Sequence, residues 1–347
     1  MKSLLSLWAV WCGCWLCASG TARAEEEDFK RSQFFRGISA HFVVSAVTQG
    51  DLDGDGRSDT LVLYREAEDA VNQAGGLLVL SPMGADWKVL LHLFFESVYP
   101  KKASVAGRDL SIEFVQTGPQ GVKTFPRTLV RSKDFFLRQD PESPFAEAKV
   151  TASSTLKHEG VKPEHAFDQD LRTAWAEGAD GTGVDETVTI EFRRPVDLGL
   201  AGVLHGNFRS PREWKDNNRL HRGEFTVETS SDRYDAEGQV DFEADLGLGL
   251  YGDKVDISFS NKPVMRYVRL QKRGAVSVQL KITSVLLGEK NDDTYVAEID
   301  LAEWVSYARL TGSAPAAQPA PEKADKPAEE PAKAPARKSD DWTDEDF

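Results

Sequence analysis

Asp51, Asp53, Asp55 and Asp59 stand at the first, third, fifth and ninth positions of one short loop, with Gly56 at the sixth, where the chain must turn sharply, and Arg57 at the seventh. Calcium is a hard cation that takes roughly six to eight oxygens at such a density, and Arg57 can add its backbone carbonyl. Carboxylates packed this closely repel one another unless a cation lies among them, so the loop predicts bound Ca2+. The competing reading is a polar turn whose acids face water. No comparable pattern points to catalysis. The six histidines lack the spacing that sets two ligands on one helical turn around a glutamate. Gly247, Gly249 and Gly252 match the glycine spacing of a dinucleotide loop, but 254–259 then alternates as a strand where that chemistry needs a helix N-terminus. A glycine-flanked serine elbow and a phosphate loop are both missing. Carboxylate pairs for glycoside hydrolysis stay open, because any two of the 56 acids can meet in a fold.

The elements that must position these groups read as strands. Runs rich in β-branched and aromatic residues at 42–47, 60–64, 77–80, 87–91 and 110–115 are separated by Gly, Asp, Asn and Pro. Farther on, Val188, Ile190 and Phe192 alternate with polar neighbours, as do Phe225 and Val227, Val268 and Leu270, and Val276, Val278, Leu280 and Ile282. Only 164–167 and 297–308 offer a turn or two of helix. The expected fold class is all-β: a smaller β domain over 34–139, a linker over 140–147 where Pro141 and Pro144 flank polar residues, and a larger β domain over 148–308. The acidic loop runs straight into the strand at 60–64 and has Val62 at its twelfth position, where a helix–loop–helix calcium motif needs Glu. A strand-flanked acidic loop of this kind resembles those of FG-GAP and VCBS propeller blades. A whole propeller takes about four or more blades. Residues 34–139 have room for one or two, so the resemblance implies blade-like units with a calcium loop at 51–59 and not the complete fold.

Seven pieces in sequence order mark the larger domain: Ala152-Ser153-Ser154-Thr155-Leu156, Ala166 to Trp175, Val188 to Phe192, Asn207-Phe208-Arg209-Ser210, Asn217-Asn218-Arg219, Tyr267-Val268-Arg269-Leu270 and Ala297-Glu298-Ile299. Their order resembles the discoidin, or coagulation-factor type C, superfamily, and more narrowly the NADase-type glycan-binding domain, over about 148–305. The resemblance implies a β-sandwich jelly roll whose loops at one end bind ligand. It also implies a structural calcium held by the carbonyl of His165, the side chain of Asp168, the carbonyl of Asp170, Thr173 through carbonyl and hydroxyl, and Ala297 with Glu298. All are hard oxygen donors. Gln169 stands where that family usually has Gly, and a positive φ there costs about 1 kcal/mol or more. For a glycan, an aromatic platform ringed by planar bidentate groups suits the apolar face and hydroxyls of a sugar. Asn207, Arg209, Trp214, Asn217, Asn218 and Arg219 offer that mixture, with Trp214 as the exposed platform and Trp175 as core. A plain turn entering the strand at Phe225 is the alternative for Asn217-Asn218-Arg219.

Both ends differ from the folded middle. Residues 1–24 combine Lys2, an apolar run and Ala22-Arg23-Ala24, the pattern of a signal peptide, which predicts export with cleavage after Ala24 and no transmembrane anchor afterwards. Cys12, Cys14 and Cys17 lie inside it, so the exported chain is expected to hold no thiol; residues 25–33 form an acidic lead. From 309 to 347 the chain is rich in Pro, Ala, Glu and Lys and is expected to be a disordered tail, ending in acids with Trp342 and Phe347 that either solubilise it or dock a protein partner. A net charge of -14 argues against nucleic acid as a partner. The sequence therefore predicts an exported, non-catalytic, calcium-stabilised carbohydrate-binding protein that is periplasmic, secreted or on the cell surface and recognises a glycan or glycosylated surface. The alternative is an envelope structural or assembly protein whose β domains make protein contacts.

Overall fold

The computed structural model describes residues 33–67, 73–83, 86–119, 121–158, 160–230 and 254–311. The signal-peptide reading, most of the acidic lead, the Gly247 to Gly252 pattern and the tail from 312 onward lie outside the described residues. The chain opens with helix α1 (Gln33–His41), which buries Phe34, Gly37 and Ile38, positions spaced by three and four that share one helical face. Strands β1 (Val43–Gly50), β2 (Asp59–Arg65), β3 (Gly75–Met83) and β4 (Asp86–Phe95) follow as an antiparallel meander. Next come β5 (Tyr99–Ala106), β6 (Asp109–Gly118) and β7 (Gly121–Leu129), a separate three-stranded antiparallel sheet. The two layers enclose a core of Leu61, Leu77, Phe95, Leu110 and Phe114.

The later strands are β8 (Lys149–Ala152), β9 (Trp175–Ala176), β10 (Thr187–His205), β11 (Asn218–Thr229), β12 (Lys254–Ser258), β13 (Arg266–Leu286) and β14 (Thr294–Val305), with short helices α2 (Pro211–Asp216) and α3 (Tyr307–Thr311) between and after them. The all-β expectation holds, and the core of this part is filled from alternating positions: Val188, Ile190, Phe225, Val278, Leu280 and Ile282 are all buried. Strand β14 replaces the helical turns expected at 297–308. It lies between β4 and β10 and is buried on both faces, so its sequence shows no period-two alternation to read.

The sheet crosses the boundary that the sequence places at 140–147. Strand β4 pairs in parallel with β14 through Leu93 with Glu303, Phe94 with Trp304 and Phe95 with Val305, giving one eleven-stranded sheet. A second core lies over the seam, where Phe34, Tyr64 and Phe94 of the first part pack with Leu200, Trp214, Tyr267 and Trp304 of the second. Glycine makes two of these approaches possible: a Cβ on Gly37 would sit 2.8 Å from Met265 Cβ, and one on Gly199 would sit 2.7 Å from Phe94 Cβ. The 140–147 segment is a series of turns anchored at Asp140, whose carboxylate accepts from Arg131 Nη2 at 2.5 Å and from the Leu137 amide at 2.7 Å.

Candidate calcium and ligand sites

The acidic loop joins β1 to β2, and both glycines adopt the left-handed backbone that the turn requires, with φ of 84° at Gly54 and at Gly56. Asp51 accepts from the Gly54 amide at 2.7 Å and the Gly56 amide at 3.0 Å, and Asp53 accepts from the Asp55 amide at 3.0 Å, so the carboxylates are held in place by the backbone. Carboxylate oxygens of Asp51, Asp53 and Asp59 all lie within 4.8 Å of one another. Asp59 is wholly buried; its Oδ2 accepts from the Leu52 amide at 2.8 Å, while Oδ1 has no partner. Burial raises its pKa, and Asp53 adds to the rise. Asp55 departs from the expected ligand set. Its carboxylate is taken by Arg57, with Nε at 2.7 Å, and this pairing lowers its pKa. Three convergent carboxylates, one with an unpartnered buried oxygen, fit a hard cation.

The second expected calcium site spans the turn Pro163–Ala166, the loop to Thr173, and β14. Glu298 is fully buried; its Oε2 accepts from the Gln169 amide at 2.6 Å and its Oε1 has no partner. Burial pushes its pKa well up, and the charge of Asp168 pushes it the same way. Asp168 in turn accepts from Thr173 Oγ1 at 2.8 Å and from the Asp170 amide at 2.9 Å. Gln169 does adopt the left-handed backbone, with φ of 63°, and its strain is maintained by the bond to Glu298. The Asp170 carbonyl, expected to face the ion, already accepts from the Thr173 amide at 2.9 Å and from its hydroxyl at 2.8 Å. Asp170's carboxylate is bound by Arg172. His165 lies in the turn, its Nδ1 3.0 Å from the Gly160 carbonyl, and Ala297 is buried beside Glu298 on β14. A buried carboxylate with a free oxygen beside a second carboxylate again fits a hard cation, with fewer free oxygens than the sequence suggests.

The expected sugar platform is internal. Trp214 is 7% exposed, donates from Nε1 to the His205 carbonyl at 3.1 Å and lies under the Arg219 guanidinium, 4.6 Å from the ring centre. The cause is α2, which turns Trp214 into the core shared by the two parts of the chain. Arg219 is 5% exposed and donates to the carbonyls of Trp214 at 2.6 Å, Asn217 at 3.0 Å and Leu287 at 3.2 Å. Asn207, Asn217 and Asn218 are buried too. Asn217 Nδ2 donates to the Glu213 carbonyl at 2.7 Å, and Asn218 bonds the 288–292 turn through the Gly288 amide at 2.7 Å and the Asp292 carbonyl at 2.5 Å. Arg209 is half-buried and ties two loops together through the Gly160 carbonyl at 3.1 Å and the Arg172 carbonyl at 3.3 Å. These six residues brace the loops; a stacking face for a sugar is not among them. Trp175 is core, as expected.

One buried constellation has no trace in the sequence motifs. Tyr64 on β2 lies 2.8 Å from His92 Nε2 on β4, and His92 Nδ1 lies 2.7 Å from Asp300 Oδ2 on β14. Tyr267 donates to the same oxygen at 2.8 Å, and Arg138 binds the other. Burial opposes ionisation of Asp300, yet His92 and Arg138 outweigh it and hold the carboxyl well below the usual range. Burial and the Asp300 charge raise both tyrosines well above theirs. The array pins the two parts of the chain together at the seam.

Residues 144–302 match the family model of the NAD glycohydrolase translocation F5/8 type C domain. No curated protein matches the chain. Among solved structures, the arabinofuranosyltransferase AftD from Mycobacteria is similar over 45% of this chain and 11% of its own, with a TM-score of 0.32 and 15% identity, so this chain spans about a tenth of that enzyme. An F5/8 type C domain from Bacteroides fragilis is similar over 46% of this chain and 93% of its own, with a TM-score of 0.30 and 16% identity. The CBM32-1 and CBM32-2 domains of Clostridium perfringens ZmpB, in complex with GalNAc, match over 45% of this chain and 33% of their own, with a TM-score of 0.31 and 12% identity. The family match covers the strands from β8 to most of β14 together with the Asp168–Glu298 region, and residues 144–302 are thus an F5/8 type C, discoidin-like domain.

Proposed function

We propose that the chain is an exported, non-catalytic carbohydrate-binding protein whose discoidin-like domain is clamped by Ca2+. The observation that carries this reading is Glu298: inside an F5/8 type C domain, a fully buried carboxylate keeps one oxygen without a partner and faces the charge of Asp168. A bound calcium would turn two repelling acids into a joint between the 160–173 loop and β14. Asp51, Asp53 and Asp59 would hold a second ion. The Tyr64–His92–Asp300 array is closed to solvent, which supports a structural role for it. Export rests on residues 1–24, and no described helix is long and apolar enough to cross a membrane.

The test is glycan-array binding by the exported chain in calcium and in chelator, repeated with Glu298→Gln. The variant keeps the shape of the side chain and removes the charge that calcium needs. Expected are glycan binding by both proteins while folded, and loss in the variant of part of the calcium-dependent rise in melting temperature. A folded chain that binds no glycan in either condition removes the reading. One observation favours a second reading, protein–protein assembly: β1 ends the strand order of the large sheet and leaves Val43 40% and Val47 52% exposed.

A further inference from the structure

Where the C-terminal end of α1 meets the connection from β12 to β13, the surface holds a cavity of about 200 Å³. His41 from α1, Lys262 from the connection and Arg266 at the start of β13 line it together with Ser260, and the stacked rings of His205 and Phe259, 4.7 Å apart, are buried in its lining. Among the described residues its lining includes no acid, although the chain as a whole carries a net charge of -14. Among the described residues, neither Lys262 nor Arg266 is paired with a carboxylate. Other cations of this protein do have such a partner, as Arg131 has Asp140 and Lys290 has Asp216. Arg266 Nη1 instead lies 3.4 Å from His41 Nδ1. Burial and the Arg266 charge both lower the His41 pKa, so the ring is a neutral acceptor that orients the guanidinium. Two like charges lining one concave site attract an anion that neither finds among its own neighbours.

We propose that this cavity binds the anionic group of a small ligand, a carboxylate, sulfate or phosphate, held between Arg266 and Lys262. Pockets for drug-sized ligands run to about 300–1,000 Å³, so this one suits an inorganic anion or a single sugar ring. Resting on the glycan reading above, the ligand class is an acidic monosaccharide at the end of a glycan, with its carboxylate on the two cations. Because His41 comes from the first part of the chain and Lys262 and Arg266 from the second, the site exists only when both are docked.

The experiment titrates the exported full-length chain by calorimetry with glucuronate, sodium sulfate and glucose at matched ionic strength. Wild type, Arg266→Gln, Lys262→Gln and the control Arg212→Gln, an exposed cation on α2, are compared. Expected is saturable binding of glucuronate, tighter than sulfate, with no binding of glucose, and a loss of about tenfold in each cavity variant but not in the control. All three sites are on the surface, and a melting curve for each variant verifies folding. Sulfate binding that the cavity variants lose, without preference for glucuronate, supports the anion site and counts against the glycan reading. Glucose binding as tightly as glucuronate overturns the anion proposal and leaves the glycan reading standing. Absence of saturable anion binding, or binding unchanged in both cavity variants, overturns the proposal outright.

Discussion

His205, at the end of β10, is expected to make the protein acid-sensitive by a calculable amount. The ring is 1% exposed, with Nδ1 2.8 Å from the Leu220 carbonyl and Nε2 3.1 Å from the Lys262 carbonyl. Two carbonyls favour the imidazolium, but burial against Phe259 and Trp214 outweighs them, helped by the charge of Arg219, and lowers the pKa from 6.5 to about 4. The unfolded chain takes up the proton as pH falls through 6.5, whereas the folded chain resists it until about 4. The stability contribution is therefore full above pH 6.5 and is lost progressively toward pH 4. Linkage with these two values gives a loss of about 1.8 kcal/mol between pH 7 and pH 5. For a protein of this size that lowers the melting temperature by about 4–7 °C. The assay is thermal or denaturant unfolding of wild type and His205→Asn at pH 7, 6 and 5 in fixed calcium. Carboxylates titrate alike in both proteins, so the difference in slope isolates the histidine. His205→Asn should start less stable and lose less on acidification. Parallel slopes, or a wild type that gains stability relative to the variant at pH 5, would refute the argument, because the two carbonyls would then be holding a charged ring.

Chelation should destabilise the full chain, and Asp59→Asn should remove part of that sensitivity; calcium at 100 times its dissociation constant contributes about 2.7 kcal/mol, read as a shift in melting temperature. Asp300→Asn leaves Arg138 buried without its counter-charge and should cost about 3–5 kcal/mol in denaturant unfolding. Because that carboxylate spans the seam, the variant is also expected to split a single unfolding transition into two, visible by calorimetry. Trp214→Ala should cost about 3–5 kcal/mol as a core cavity, so any loss of glycan binding in that variant should follow its loss of folded protein in a melting curve.

Local chemistry was legible in the sequence where neighbours in the chain are neighbours in space. The aspartates of the 51–59 loop converge because the backbone turns at Gly54 and Gly56, and only Asp55 leaves the set, drawn off by Arg57 two residues away. The strands of the core were legible for the same reason, since alternation marks a sheet with one buried face. Strands β5 and β7 were missed because their residues are largely polar or exposed, and β14 was misread because it is buried on both faces. Trp214 was misplaced although a signal for α2 was available: Ser210 caps the helix by accepting from the Glu213 amide at 3.1 Å, and Pro211 follows at the first helical position. That capping pattern turns the tryptophan inward. The meeting of His92 with Asp300, 208 positions apart, has no local signature at all.

The pairing of β4 with β14 has a consequence for how the molecule is made. Leu93 to Phe95 pair early with Gly75 to Leu77 of β3, but their other edge is covered only when Glu303 to Val305 arrive, about 210 residues later in synthesis. Until then the emerging chain carries an open strand edge beside Phe94, a side chain that ends fully buried, and such an edge invites pairing with the wrong partner. The first third of the polypeptide cannot reach its final form ahead of the rest. The seam between the two parts therefore stays incomplete in a nascent chain until nearly all of the described residues have been made.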